Sequence, residues 1–166
     1  MRTKKLITLA LLCAIALIIF IIELQIPPIV PIPGVKMGLA NIVTLFALGL
    51  FSPYEAFLIL IVRIILGSVF SGQVMSIAYS LAGGIFCFIT MSILFKFKKT
   101  IPVWVISIFG AITHNIGQIA AAIVLTSTYQ VIYYLPVLII SGIISGAFTG
   151  ITAQILLSRK IFQNLK

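Results

Sequence analysis

Acidic side chains are nearly absent from this 166-residue chain, which has two glutamates, Glu23 and Glu55, and no aspartate. Charged residues of either sign make up only 8% of the sequence, whereas a soluble globular domain has about 25%. Hydrophobic residues make up 62%. A chain of this composition lacks the polar side chains to cover a water-facing surface, so the sequence predicts an integral membrane protein.

The shortage of acids also argues against catalytic and metal-binding sites. A Mg²⁺ site for diphosphate chemistry is built from carboxylates, and the two glutamates are predicted at opposite membrane faces. The sequence has no Ser/His/Asp set, Walker loop or zinc spacing, and Cys13 and Cys87 stand alone in apolar runs. We therefore predict no enzymatic activity, cofactor or metal site, and two buried structural thiols. Any ATP hydrolysis would come from partner subunits.

Six apolar stretches are candidates for transmembrane helices, which need ~20 apolar residues, or fewer where a helix is buried in protein. The first is too long for a signal peptide, whose apolar core has about 7–15 residues, and is predicted to be retained. Ser52 and Pro53 are typical of an N-cap and a first helical turn. The short second span and the third are alternatively a re-entrant hairpin. The predicted spans of this single domain, 1–166, are residues 6–24, 38–51, 54–71, 73–95, 101–126 and 130–157.

Basic residues are unevenly distributed between the two sides of this six-helix bundle. Lys36 lies on one side alone, and Arg63 lies within the membrane. Lysine and arginine gather at the cytoplasmic ends of membrane helices. Both termini are therefore predicted to be cytoplasmic, in a multi-pass protein of the bacterial cytoplasmic membrane. Because this distribution accounts for the net charge of +9, we predict no nucleic-acid partner. The other nine basic residues share the predicted cytoplasmic side: Arg2, Lys4, Lys5, Lys96, Lys98, Lys99, Arg159, Lys160 and Lys166.

A proline-rich stretch, "QIPPIVPIPGVKMG", follows the first span. It holds four of the seven prolines, Pro27, Pro28, Pro31 and Pro33. Proline restricts the backbone and removes hydrogen-bond donors, so this stretch cannot be a helix. It is predicted to be a stiff loop packed over the outer mouth of the bundle, or alternatively a rigid connector.

The stretch "AITHNIGQIAAA" places three polar side chains in the middle of the fifth span: His114, Asn115 and Gln118. On a helical wheel they share one face with small residues, whereas the bulky side chains fall on the opposite, lipid-facing side. Polar groups in membrane helices face the bundle interior or a cavity. They are therefore either interhelical hydrogen-bonding groups or the lining of a ligand cavity. The side chains expected to face lipid are Phe109, Ile112, Ile116, Ile119 and Ile123.

Arg63 lies about ten residues into the third span, ~15 Å along the helix at ~1.5 Å per residue, near mid-membrane. A central arginine costs at least ~2.5–3.5 kcal/mol on insertion scales, so it should have a partner. That partner is either Glu23, in a structural pair, or an anionic group of a ligand. Further polar groups come from Lys36 at the outer mouth and from Asn41, Gln73 and Tyr79 at helix starts or inner positions.

Small residues at i, i+4 spacing occur in two spans. Ala10 and Ala14 in the first span would permit a close helix contact. The glycines of "SGIISGAFTG" in the sixth span give a longer seam, which we interpret as internal packing. This seam consists of Gly142, Gly146 and Gly150.

Five ordered motifs resemble one bacterial membrane family. "IPGVKMGLANIVTLFALGL", "RIILGS", "YSLAGG", "THNIGQ" and "YYLPVL", within about residues 25–150, resemble heptaprenyl diphosphate synthase component I, also called Gx transporter. That family is similar to the substrate-binding S components of energy-coupling factor (ECF) vitamin transporters. The resemblance implies a six-helix bundle with an outer loop over the ligand. It also implies that Ala10 and Ala14 match the alanine motif that docks on a shared membrane subunit.

Three functions follow as hypotheses. The first is the substrate-binding subunit of an ECF-type importer, embedded in lipid with transmembrane and ATPase partner subunits. It would capture a small organic ligand, expected to be anionic, from outside. The second is an accessory membrane subunit of heptaprenyl diphosphate or isoprenoid-quinone synthesis, and the third is a structural subunit of a membrane redox or transport complex. In the first hypothesis the cavity is lined by Lys36, Asn41, Arg63, Tyr79, His114, Asn115 and Gln118.

Overall fold

The computed structural model of the protein describes residues 2–26, 36, 38–72 and 74–159. All regular structure in these ranges is helical. Residues 27–35 and 37 of the proline-rich stretch fall outside the described residues, as do Gln73, Lys160 and Lys166, so the predicted loop over the outer mouth lies outside the described part of the chain. The helices are α1 (Arg2–Leu24), α2 (Asn41–Leu50), α3 (Pro53–Ser71), α4 (Val74–Phe95), α5 (Val103–Thr126) and α6 (Leu135–Ser158), with a short 3₁₀ helix at Tyr129–Tyr134 between α5 and α6.

Five of the helices are long and apolar enough to cross a membrane. The chain is therefore a multi-pass, all-α membrane protein. The sixth helix, α2, has 10 residues, so its length is ~15 Å. This is about half of the ~30 Å hydrocarbon core. Most of its side chains are buried in the protein, which is the environment in which a short membrane helix is tolerated.

The segment that contains α2 nevertheless joins the two ends of α1. At one end, the backbone nitrogen of Gly38 donates to Oε1 of Glu23. At the other end, Lys5 forms an ion pair with Glu55 in the first turn of α3. These two levels of α1 are separated by ~27 Å of helix at ~1.5 Å per residue. The number of membrane crossings and the orientation of the termini stay predictions.

Two helix starts follow from local sequence. Ser52 precedes α3 in an extended conformation, and its backbone nitrogen donates to Oε2 of Glu55 at 2.9 Å, which confirms the predicted N-cap. The predicted span 130–157 begins instead as a 3₁₀ helix and becomes α-helical at Leu135. Pro136 explains this boundary, because proline has no N–H to donate and is tolerated in the first helical turn.

Helix α5 packs along most of its length against α4 on one side and α6 on the other. The glycine seam of α6 faces α5, which confirms that it serves internal packing. A Cβ atom on Gly146 would lie 2.9 Å from Cα of Ile108, and one on Gly150 would lie 2.6 Å from Cα of Trp104. These positions allow close backbone approach, which packs α6 tightly against α5.

One expected lipid-facing side chain of α5 is in fact buried. Phe109 and Ile116 are exposed as predicted, but Ile119 is 3% exposed. It belongs to an apolar cluster with Val131 and Leu138. The helical wheel was wrong here because the 3₁₀ helix folds back over the end of α5, and the wheel contains no information about that segment.

Candidate functional site

Side chains from α1, α3, α4 and α5 meet the segment before α2 around one narrow pocket. Its polar side chains come from elements far apart in the sequence, and its apolar walls are one aromatic and one aliphatic side chain. The enclosed space has room for about one water molecule. An organic ligand therefore enters only if side chains at the mouth move. The lining residues are Phe20, Glu23, Lys36, Gly38, Arg63, Ile64, Ser80, His114 and Gln118.

A buried hydrogen-bond chain connects three helices beside this pocket. Nη2 of Arg63 donates to Oδ1 of Asn41 at 3.1 Å. Nδ2 of Asn41 lies 3.3 Å from Nδ1 of His114. Because the asparagine oxygen already accepts from the guanidinium, its nitrogen is the donor in the second bond. This bond favours Nδ1 of His114 as the acceptor and a neutral imidazole with its proton on Nε2, while the backbone of Gly83 offers the ring a competing acceptor.

Gln118 continues the chain to the segment before α2. With its amide oxygen turned towards the imidazole, it accepts from Nε2 of His114 at 3.2 Å and from the backbone nitrogen of Lys36 at 3.3 Å. Its amide nitrogen then donates to the backbone oxygen of Lys36 at 2.9 Å. In this orientation each donor meets an acceptor. The backbone at residue 36 is thus held by a buried side chain of α5.

Glu23 holds the same segment from α1. Its Oε1 accepts from the backbone nitrogen of Gly38 at 2.6 Å. Glu23 also interacts through space with Arg63 and Lys36. However, the only ion pair within 4.0 Å among the described residues is that of Lys5 and Glu55. The direct Glu23–Arg63 contact considered from the sequence is therefore absent from the described part of the chain.

Arg63 is 5% exposed and has one neutral hydrogen-bond partner, Asn41. Its Nε is buried, and within the described residues it has no partner. The guanidinium is thus a buried cation without direct contact to a carboxylate. Such a group is costly unless a counter-charge or further acceptors complete its environment.

The ammonium group of Lys36 lies at the side of the pocket. Nζ donates to Oγ of Ser76 at 3.0 Å and lies 3.8 Å from the centroid of the Phe20 ring. Burial lowers the pKa of Lys36 to about 8, an effect that Glu23 opposes and Arg63 reinforces. Lys36 is therefore mostly charged at neutral pH and titrates close to it.

Two glycines make room for the imidazole of His114. Gly38 has a left-handed φ of 79°, and a Cβ atom there would lie 2.9 Å from Cδ2 of His114. On Gly83 a Cβ atom would lie 2.9 Å from Cε1 of the same ring. Neither glycine was predicted to be part of the site, although each lies within one of the five family-like motifs. Ser76, Ser80 and the ring of Phe20 were not predicted either.

The structure brings Lys36, Asn41, Arg63, His114 and Gln118 together, and Glu23 with them. It places two other candidate residues elsewhere. Nδ2 of Asn115 donates to the backbone oxygen of Leu138 on α6. Tyr79 packs in the apolar cluster with Ile119, Ala122, Val131 and Leu138.

The remaining sequence features lie away from the pocket. Ala10 and Ala14 are exposed on α1, whereas Phe20 and Glu23 of the same helix are buried at the pocket. Cys87 is buried and Cys13 is partly buried. Within the described ranges, no group of three or more histidine, cysteine and acidic side chains is arranged to hold a metal ion.

The family model for heptaprenyl diphosphate synthase component I matches residues 12–156. The chain belongs to this family. The match includes all of α3, α4 and α5 and the part of α1 that lines the pocket. No curated protein and no solved structure matches the chain. This member of the component I family thus has a buried polar pocket lined by two basic side chains and one acidic side chain.

Proposed function

We propose that this component I protein is a ligand-binding membrane subunit that captures a small organic anion from the outer side, as the S component of an ECF-type importer does. The observation that carries the proposal is Arg63. Its guanidinium is buried and contacts no carboxylate, and its Nε has no partner in the described structure. Arginine grips carboxylates and phosphates through paired hydrogen bonds, so a ligand anion would complete this site.

The position of the pocket supports capture from outside. The pocket is formed at the end of α1 that carries Glu23, opposite the end that carries Lys5. Basic residues mark the cytoplasmic side of membrane proteins, and Lys96, Lys98 and Lys99 follow α4, which starts at the pocket. With the predicted orientation, the pocket would therefore lie in the outer half of the membrane.

The distribution of acids supports a binding role without chemistry. Glu23 lies in the pocket, and Glu55 pairs with Lys5 at the other end of α1. Metal-assisted diphosphate chemistry requires carboxylates close together, and these two are far apart. Energy or catalysis would thus come from partners, which in the importer reading are the ECF transmembrane and ATPase subunits in the bacterial cytoplasmic membrane.

A second function is favoured by the family description itself. A component I implies a second component of a heptaprenyl diphosphate synthase. In that reading the chain would be a non-catalytic accessory subunit that holds a prenyl diphosphate by Arg63 and Lys36 and binds a soluble synthase. Co-purification separates the two functions, because an ATPase subunit supports the first and a soluble prenyltransferase supports the second.

The experiment that tests anion capture compares wild type with Arg63→Lys and Arg63→Gln, each purified from the same cells. Mass spectrometry identifies the small molecules that each protein retains. The wild type should retain an anionic molecule, Arg63→Lys should bind it more weakly, and Arg63→Gln should lose it. The free energy of binding lost in Arg63→Gln should be about 2–5 kcal/mol, as for a desolvated charge pair. Lys98→Gln, which changes a basic residue outside the pocket, is the matched control.

The competing structural account predicts a different pattern. If Arg63 served only to balance Glu23, Arg63→Gln would lower the melting temperature and the added change Glu23→Gln would restore it. The retained molecules would then be the same in all the proteins. That result would overturn the proposed anion site.

A further inference from the structure

The hydrogen bonds and neighbouring charges of the pocket favour one charge state for its ionisable groups. Arg63 and Lys36 are cations, and the bonds of His114, with Nδ1 accepting from Asn41 and Nε2 donating to Gln118, favour a neutral imidazole. Burial opposes ionisation of Glu23, but the backbone nitrogen of Gly38 donates to it and Arg63 and Lys36 are nearby, and these three favour the carboxylate. In this charge state, two cations and one carboxylate leave the pocket with a single positive charge.

We infer that the ligand group bound at Arg63 carries one negative charge, as a carboxylate or sulfonate does, and not two or more, as a phosphate monoester or diphosphate does. This inference rests on the proposed anion-binding function. One negative charge neutralises the pocket. A second would have no cation of its own and would face the carboxylate of Glu23 in a site with little water.

The fixed position of Glu23 strengthens the argument. A flexible carboxylate could turn away from a multiply charged ligand, but Glu23 is 5% exposed and is held by Gly38 at 2.6 Å. Like charges brought together in a desolvated site oppose binding and act as a specificity element. The apolar walls, Phe20 and Ile64, suit the organic part of such a ligand.

Three probes with the same phenyl ring test the charge of the ligand group. Benzoate and benzenesulfonate carry one negative charge, and phenyl phosphate carries nearly two at pH 7.5, since its second pKa is about 6. Sulfonate and phosphate are both tetrahedral, so this pair separates charge from shape. Binding is measured by titration calorimetry and by thermal melting of the full chain in lipid nanodiscs.

Wild type should bind benzenesulfonate at least about tenfold more tightly than phenyl phosphate. Glu23→Gln raises the pocket charge by one and retains an acceptor for Gly38, so it should reverse this preference. Glu55→Gln, which removes the other acid of the chain, should leave the preference unchanged. If Glu23→Gln does not fold, Lys36→Gln is used instead, and it should weaken the binding of phenyl phosphate more than that of benzenesulfonate.

The remaining outcomes separate this inference from the proposed function. Suppose that wild type binds phenyl phosphate more tightly than benzenesulfonate and that Arg63→Gln loses this binding. This result would overturn the single-charge inference but would support the anion site, and it would favour the prenyl diphosphate role. An unchanged preference in Glu23→Gln would also overturn the inference. If none of the probes binds to wild type or Glu23→Gln, the anion site fails and the inference fails with it.

Discussion

Gly38 packs directly against the imidazole of His114: a Cβ atom on Gly38 would lie 2.9 Å from Cδ2 of that ring and 2.8 Å from Nδ2 of Asn41. Gly38 also has a left-handed backbone, with φ of 79°. The segment before α2 therefore reaches the pocket only because residue 38 has no side chain.

This relationship gives a prediction with a matched control. Gly72 has a similar φ of 65°, but nothing lies within 4 Å of a Cβ atom placed there. Gly72→Ala should cost about 1–2 kcal/mol, from the left-handed backbone alone. Gly38→Ala should cost more and should also weaken binding of benzoate, because it displaces Asn41 and His114. Melting curves and calorimetry of the two variants check this, and equal effects would contradict it.

Much of the site could be predicted from sequence, because polar side chains within membrane helices are rare and face the bundle interior or a cavity. Arg63, His114 and Gln118 stand out in apolar runs, and a helical wheel assigns His114 and Gln118 to one face. The close approach of Gly38 and Gly83 could not be predicted in the same way. It depends on which helices are neighbours, and hydropathy does not contain that information.

Asn115 shows where the wheel stops being informative. It follows His114 by one residue, which is about 100° around the helix. This angle turns it from the pocket to α6, where it donates to the backbone oxygen of Leu138. Periodicity identifies the polar residues of a helix, but it does not say which neighbouring helix each of them meets.

The start of α2 was also not predictable from hydropathy. The apolar stretch begins at Gly38, but the chain first makes a turn and the helix starts only at Asn41.

The pKa of Lys36 predicts that anion binding weakens in alkaline solution. Its pKa is lowered from 10.5 to about 8, so raising the pH from 7 to 9 removes a positive charge from the pocket. Benzoate affinity should fall across this interval in wild type and should be nearly constant in Lys36→Gln. The charged groups facing Lys36 are Glu23 and Arg63, and both are present in the two proteins. Titration calorimetry at several pH values checks the difference, and identical pH profiles would contradict it.

The same shift has the opposite effect on the stability of the ligand-free protein. Between pH 8 and 10.5 the folded protein has already lost the Lys36 proton that the unfolded chain still binds. The unfolded state thus binds more protons, so the free energy of unfolding should rise with pH in this window. The difference in the free energy of unfolding between wild type and Lys36→Gln isolates this contribution, because every other titratable group is present in both proteins.

The exposed alanines of α1 predict a partner contact that is separable from folding. Ala10→Leu and Ala14→Leu enlarge exposed positions, so the melting temperature of the isolated chain and its benzoate binding should be unchanged. If this face docks on a partner subunit, both variants should fail to co-purify with membrane partners. Ala120→Leu, at an exposed alanine of α5, is the control and should retain them. A drop in melting temperature for Ala14→Leu, or normal co-purification, would contradict the docking role.

The ion pair of Lys5 with Glu55 and the contact of Glu23 with Gly38 predict the membrane topology. Because the segment with α2 joins these two levels, the chain should cross the membrane six times with both termini in the cytoplasm. Thr128→Cys, after α5, and Thr100→Cys, before α5, are introduced separately after Cys13 and Cys87 are replaced by alanine. A membrane-impermeant maleimide should label Thr128→Cys in intact cells and Thr100→Cys only after the membrane is opened. Reporter fusions at the N-terminus and at residue 166 should report the same side as Thr100→Cys. Reporters on opposite sides would show an odd number of crossings and would overturn the six-crossing arrangement, whereas a re-entrant α2–α3 pair would still leave both termini on one side.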